Sequence, residues 1–238
     1  MSSSQQYARP SKGEPFFTFL GLLLTTIVIF GFGASARALP DGPASLPMLY
    51  HIHGFIFLAW FVFFTVQASL IRNQRPELHI TLGHLSVILA VSMLITGFLM
   101  MRSAYNAPSF SIGSNSRDAS MMFPLTDLIN FSIAFMLGLF NRRNPVAHKR
   151  LMLLSGILIL DPAVARLVEA IGAPFLFIPI IELGLFAALL NYDRVRLKRP
   201  HWTSLLGLSL FFAAMGAKLT LAQRPMWADI AKLLFSQS

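Results

Sequence analysis

Apolar residues run along most of this chain in blocks of about twenty, separated by short segments rich in proline, glycine, asparagine and charge. A membrane-spanning helix needs about 20 mostly apolar residues, because the hydrocarbon core is about 30 Å thick and a helix rises about 1.5 Å per residue. Seven stretches meet that length: Phe16–Ala36, His51–Ile71, Ile80–Met101, Met121–Phe140, Leu151–Val168, Ile171–Asn191 and Trp202–Leu221. The pattern predicts an all-α fold, a polytopic transmembrane helix bundle of seven spans. Residues 1–15 form a cytoplasmic tail, 16–222 one bundle domain and 223–238 an extracytoplasmic tail.

Composition agrees. Of 238 residues 55% are hydrophobic and 12% charged, against about 25% charged in a soluble domain, and the mean hydropathy is +0.64. Disordered, collagen-like and disulfide-rich classes are excluded. With no cysteine, there is no disulfide, iron–sulfur cluster, thiolate zinc site or cysteine nucleophile.

Charge sets the orientation, because short cytoplasmic loops collect Lys and Arg. With the N-terminus inside, inner segments hold twelve: Arg9, Lys12, Arg72, Arg75, Arg142, Arg143, Lys149, Arg150, Arg194, Arg196, Lys198 and Arg199. The outer ones hold six: Arg37, Arg102, Arg117, Lys218, Arg224 and Lys232. The prediction is N-in and C-out, in a bacterial cytoplasmic (inner) membrane. The net charge of +9 then reflects topology and contact with anionic lipid headgroups, and requires no nucleic acid. Tyr50, Tyr192 and Trp202 fall at span ends, where an aromatic belt sits. Ala34-Ser35-Ala36 resembles a signal-peptidase site, but the preceding apolar run exceeds a usual signal sequence, so the first helix is expected to be retained. Arg102–Ser120 is expected to be an exposed outer loop, and the tail from Pro225 an interfacial helix carrying Trp227, Ile230, Leu233 and Leu234.

The segment from His79 to Leu89 matches that from His148 to Leu158 at six of eleven positions, His and Ser among them, at an offset of 148 − 79 = 69 residues. A looser third copy begins at His201. After the first helix the chain therefore reads as three helical hairpins of one direction, each with a basic turn and a histidine near the start of its returning helix. Gly83, Ser86, Ala90, Ser92 and Gly97 on one returning helix, and Gly207, Ser209, Ala213 and Gly216 on another, would let backbones approach closely.

Two sets of residues carry candidate chemistry. The first is histidine. His79, His84, His148 and His201 lie at the inner face and His51 and His53 at the outer mouth of the second span. Neutral imidazole is a common ligand for zinc, copper, iron or haem. His84 with His148 is the first pair expected to hold haem, since His79 and His84 lie on different faces of a helix. His51 and His53 would share an ion only if the chain were still extended before Gly54. A two-haem wire needs a bis-His pair from two helices at each face, and the outer face offers histidine from one helix alone. One inner haem, or one metal ion at either face, remains open.

The second set is ionisable. Charged groups inside a bilayer are costly and mark function by default. Glu182 is the clearest, with Arg166 as its expected partner and His51, His53 and Asp161 as alternatives. Asp127 and Asn130 open the fourth span. Asp161-Pro162 is a helix-restart signal, with Asp as N-cap and Pro at the first position, leaving Arg166 and Glu169 at a spacing that permits a salt bridge. Gln67 is expected to make a helix–helix hydrogen bond. No nucleophile–base pair or phosphate-binding loop is present, so the sequence names no reaction.

The H-x-H…W element (His51, His53, Trp60), His79-x-x-Leu82-Gly83, His148-Lys149-Arg150-Leu151-Met152 and Tyr192-Asp193…Pro200-His201 resemble a family of uncharacterised bacterial multi-spanning membrane proteins over residues 50–205. That family has arginines after the first loop histidine, where this chain has Ile80 and Thr81. A weaker similarity is to b-type membrane cytochromes and oxidase-assembly proteins. The leading expectation, from the helix-end histidines, is a haem- or metal-binding protein serving redox chemistry or respiratory-complex assembly, with a membrane complex as partner. The competing expectation, from the buried charges, is a small-solute or proton-coupled transporter using Glu182 and Arg166; a non-catalytic scaffold is the third.

Overall fold

The computed structural model describes residues 14–108 and 110–236. They form helices, with no strand among the described residues. In chain order these are α1 (Pro15–Arg37), α2 (Met48–Arg72), α3 (Pro76–Gly83), α4 (Leu85–Tyr105), α5 (Arg117–Ser120), α6 (Met122–Phe140), α7 (Pro145–Ile157), α8 (Asp161–Ala170), α9 (Phe177–Leu197), α10 (Trp202–Gly216) and α11 (Pro225–Phe235). A 3₁₀ turn at Pro43–Ser45 precedes α2, and a π turn at Ala217–Leu221 follows α10.

Local chemistry sets the boundaries. Proline opens α1, α3, α7 and α11, where its missing N–H would be unpaired anyway and its fixed φ suits a first turn. Asn144 caps α7 by accepting from the N–H groups of Val146 and Ala147, both at 3.2 Å, as a short polar side chain does at a helix start. Lys198, at φ 62°, ends α9 in the left-handed conformation.

Five helical stretches are long and apolar enough to cross a membrane: Pro15–Arg37, Met48–Arg72, Pro76–Tyr105, Arg117–Phe140 and Trp202–Leu221. A sixth results if α7 and α8, bent by 46°, make one broken span. The restart expected at Asp161-Pro162 is therefore present, with one correction. Asp161 does not cap α8; the cap position is Leu160, without a side-chain cap bond, because the Asp161 carboxylate is committed elsewhere. In the expected span Ile171–Asn191 the helix begins only at Phe177, and its C-terminal end carries Asp193, Arg194 and Arg196, so it is not among the five by length and composition.

Two further expectations change. The segment Arg102–Ser120 is no plain exposed loop: Tyr105, Ala119 and Ser120 are buried, because α11 folds back and sets Trp227, Ala231 and Phe235 into a second apolar cluster with Met101, Met121 and Met122. The indole N–H of Trp227 donates to the Asp118 carbonyl at 2.7 Å. Leu233 of the same helix is 83% exposed, as an interfacial helix requires.

The main core lies between α1, α2, α4, α6, α7, α8, α9 and α10, and α1 packs on both α2 and α8. Small residues do allow close approach, but mostly elsewhere than expected. A Cβ at Gly83 or Gly216 would meet open space, whereas one at Gly207 would stand 2.4 Å from Leu154. The tightest backbone contact is Gly31 of α1, where a Cβ would lie 2.3 Å from the Ala163 carbonyl oxygen of α8.

That contact yields a test. Gly31→Ala must push α1 from α8 and is expected to lower stability by about 1–3 kcal/mol. Gly54→Ala, in open space, is expected to leave stability unchanged or raise it by up to about 1 kcal/mol through helix propensity. Unfolding of both variants in detergent checks the difference.

Candidate functional site: a buried charge cluster

Lys218 sits in the π turn after α10 and is only 8% exposed. Its ammonium donates to Asp127 Oδ1 at 2.8 Å and to Asp161 Oδ2 at 2.5 Å, and lies 5.3 Å from the centroid of the Phe123 ring. The cation thereby joins α6, α8 and the end of α10. A π turn inside a helix is uncommon and frequent at functional sites; here it occurs where the chain carries Lys218 to two carboxylates.

Glu182 of α9 is 5% exposed. Among the described residues it makes no hydrogen bond or ion pair, yet the charges of Asp161, Asp127 and Lys218 all act on it. Two carboxyls thus hold the ammonium, and a third lies within electrostatic reach of all three groups. Asn130, one turn along α6 from Asp127, is buried and donates to the Leu210 carbonyl at 3.3 Å, closing the site from the α10 side.

Arg166, the expected partner of Glu182, is placed elsewhere. It donates to the Pro162 carbonyl at 2.9 Å and lies over the Phe32 ring at 4.6 Å. Its nearest acidic influence is Glu169, which is exposed and makes no salt bridge with it among the described residues. The buried cation of the cluster is Lys218, which meets Asp127 and Asp161 and which the charge count places among the outer segments. The available signal was its flanks, Gly216-Ala217 and Leu219-Thr220-Leu221, which continue the apolar run on both sides.

A second ion pair lies at the opposite end of α7. Arg150 and Asp193 are 1% and 0% exposed. Arg150 Nη2 and Nε reach Asp193 Oδ1 at 2.6 and 2.7 Å, and Nη1 donates to the Val146 carbonyl at 2.7 Å. Asp193 Oδ2 accepts from the backbone N–H of His201 at 2.9 Å. Nearby, Lys149 reaches Glu14 at 3.0 Å and the Tyr192 hydroxyl at 3.1 Å.

The histidines do not gather. His51 and His84 are exposed. His51 and His53 both lie within α2, so the extended segment that would let them share an ion does not exist. His53 borders a small cavity of about 40 Å³ with Val28, Phe32, Phe57, Phe61, Ile159, Pro162 and Ala163. His201 caps α10: its Nδ1 accepts from the Thr203 N–H at 3.3 Å. Burial and the nearby Arg150 hold its pKa below the ordinary value, against a pull upward from Asp193, which favours the neutral ring that capping requires. His84 makes no ring contact with His148. His79 takes that place, with its ring centroid 6.2 Å from that of His148. Among the described residues no three His, Cys, Asp or Glu side chains converge as a metal site. Gln67 also departs from expectation: its amide is buried and both polar atoms lack a partner.

The charge cluster makes a stability prediction. Removing one partner of a buried pair costs about 3–5 kcal/mol, because the charges left behind stay buried. Lys218→Met is expected to lose that amount, and Asp127→Asn added to it is expected to restore part, by removing one orphaned carboxylate. Thermal unfolding of the two variants in one detergent reads the difference. Comparison with known protein families, curated proteins and solved structures found no match for this chain.

Proposed function

We propose that this chain is a multi-pass protein of the bacterial inner membrane, with seven spans, N-in and C-out, that binds and conducts protons or a small proton-coupled solute through the Glu182–Asp161–Asp127–Lys218 cluster. The carrying observation is Glu182: a buried carboxyl with no hydrogen-bond partner, within the electrostatic reach of two further carboxyls and one ammonium. Counting charges, three carboxyls against one lysine leave 3 − 1 = 2 uncompensated if all ionise. Such a surplus in a low-dielectric interior is removed by taking up protons or a cation. A site that must load such a charge and can release it is the minimum requirement for proton coupling.

The backbone around the cluster supports the same reading. Asp161 stands at the bend between α7 and α8, and Lys218 in a π turn. Interrupted helices with ionisable groups at the break are the recurrent means by which transporters build a binding site within a bundle. The metal or haem alternative draws less support, since the six histidines are distributed over both ends of the bundle and only His79 and His148 face one another.

Proton flux tests the reading directly. The purified protein is reconstituted in vesicles containing a pH-sensitive dye, and a potassium diffusion potential is imposed. The wild type is expected to acidify the lumen, and Glu182→Gln to fall to the rate of protein-free vesicles. Flux in Glu182→Gln equal to wild type would remove Glu182 from the path. Orientation is checked separately on single-cysteine variants, which the cysteine-free chain makes direct. Cysteine replacing Arg143 is expected to react with an impermeant thiol reagent only from the cytoplasmic side, and cysteine replacing Ser236 only from outside.

A further inference from the structure

We propose that His79 and His148 hold a single copper(I) ion between the start of α3 and the first turns of α7. This site is separate from the charge cluster and does not rest on its function.

Each of the two rings has one nitrogen available to ligate. His148 Nδ1 is 2.8 Å from the Gly138 carbonyl oxygen. A carbonyl can only accept, so Nδ1 carries the hydrogen and Nε2 of the neutral ring keeps its lone pair. A histidine held this way, by a backbone carbonyl on one nitrogen, is the usual arrangement of a metal ligand, since the bond fixes tautomer and ring orientation. On His79 it is Nδ1 that is buried without a hydrogen-bond partner, and this is the nitrogen available to ligate.

Buried polar atoms are nearly always satisfied, because leaving one unpaired costs about 1–3 kcal/mol. His79 Nδ1 is such an atom, buried and without a hydrogen-bond partner among the described residues, and a bound ion would supply the partner it lacks.

The separation of the rings fits an ion between them. A metal–nitrogen bond of about 2.0–2.1 Å puts a ligated ring's centroid about 3.2 Å from the ion, so two rings stand about 5.2 Å apart in tetrahedral and about 6.4 Å in linear coordination. The observed 6.2 Å lies near the linear limit. Linear two-coordination suits a monovalent d¹⁰ ion. Tetrahedral zinc would need further ligands, and no third His, Asp or Glu is in place among the described residues. Imidazole nitrogen suits copper, which leaves copper(I).

The test uses the full-length protein in detergent, without oxygen. Copper(I) is titrated in competition with a chromogenic copper(I) chelator, and bound copper is counted by mass spectrometry; zinc(II) is titrated in parallel. One equivalent of copper is expected, with affinity falling at least roughly 100-fold in both His79→Gln and His148→Gln, beyond the tenfold to 100-fold carried by outer-shell partners. His84→Ala, altered at an exposed ring, and Glu182→Gln are expected to bind as wild type. Gel filtration and circular dichroism establish that each variant is folded. The proposal is overturned if folded wild-type protein binds no copper(I), if copper stays bound in both variants, or if the pair holds zinc and not copper.

Discussion

A charge moved out of water into a bundle of apolar helices must meet its opposite there, since an isolated buried ion is far costlier than any packing term can offset. That constraint organises this molecule at both ends of α7 and α8. Arg150 on α7 meets Asp193 on α9, and the second oxygen of Asp193 accepts the backbone N–H that opens the turn into α10. Lys218 meets Asp127 on α6 and Asp161 on α8. Between them, these two contacts tie α7 to α9 and the start of α10, and α6 and α8 to the end of α10. Apolar packing supplies area here, but lipid tails are as apolar as leucine, so area alone does not say which helix faces which. The charges do.

The irregular backbone follows from the same constraint. Inside a bilayer every N–H and C=O needs a partner, and a break is tolerated only where protein or a polar cavity supplies one. The bend at Leu158–Leu160 lies beside Asp161, and the π turn at Ala217–Leu221 carries Lys218. Neither break is at an arbitrary depth: each stands where an ionised side chain has to reach across to the other. Asp161 gives up the capping role its Asp-Pro context predicts because an ammonium ion is a stronger partner for a carboxylate than a free amide N–H is.

Local features were legible in the sequence, and pairings were not. The apolar runs located α1, α2, α4, α6 and α10, and Asp161-Pro162 located the bend, because hydropathy and proline act within a few residues. Glu182, Asp127 and Asp161 stood out as charges in apolar surroundings. Their cation did not: Lys218 and Asp127 are 91 residues apart, and nothing local to either names the other. Arg166 is placed elsewhere for a physical reason. Its guanidinium finds a carbonyl one turn back and the face of Phe32, a local solution that composition does not reveal. The histidine pair failed likewise. His79 and His84 are five residues apart, and which of them meets His148 depends on how α3 is turned against α7.

The two buried ion sites, although built from the same residue types, differ in one respect that separates architecture from function. Arg150 and Asp193 are one to one. Their charges cancel, the guanidinium donates to carboxylate and carbonyl, and the carboxylate's other oxygen is used by His201. A site so completed has no reason to exchange anything with its surroundings, and its rigidity is its contribution. The Lys218 cluster is one to three. Its lysine is satisfied by two carboxylates while Glu182, equally buried, is left without a donor. Stability alone would not retain that third carboxyl, since an apolar residue of similar volume at position 182 would avoid its desolvation altogether. The imbalance is what gives the cluster alternative charge states, and alternative charge states are what a site needs if it is to take up and release a proton.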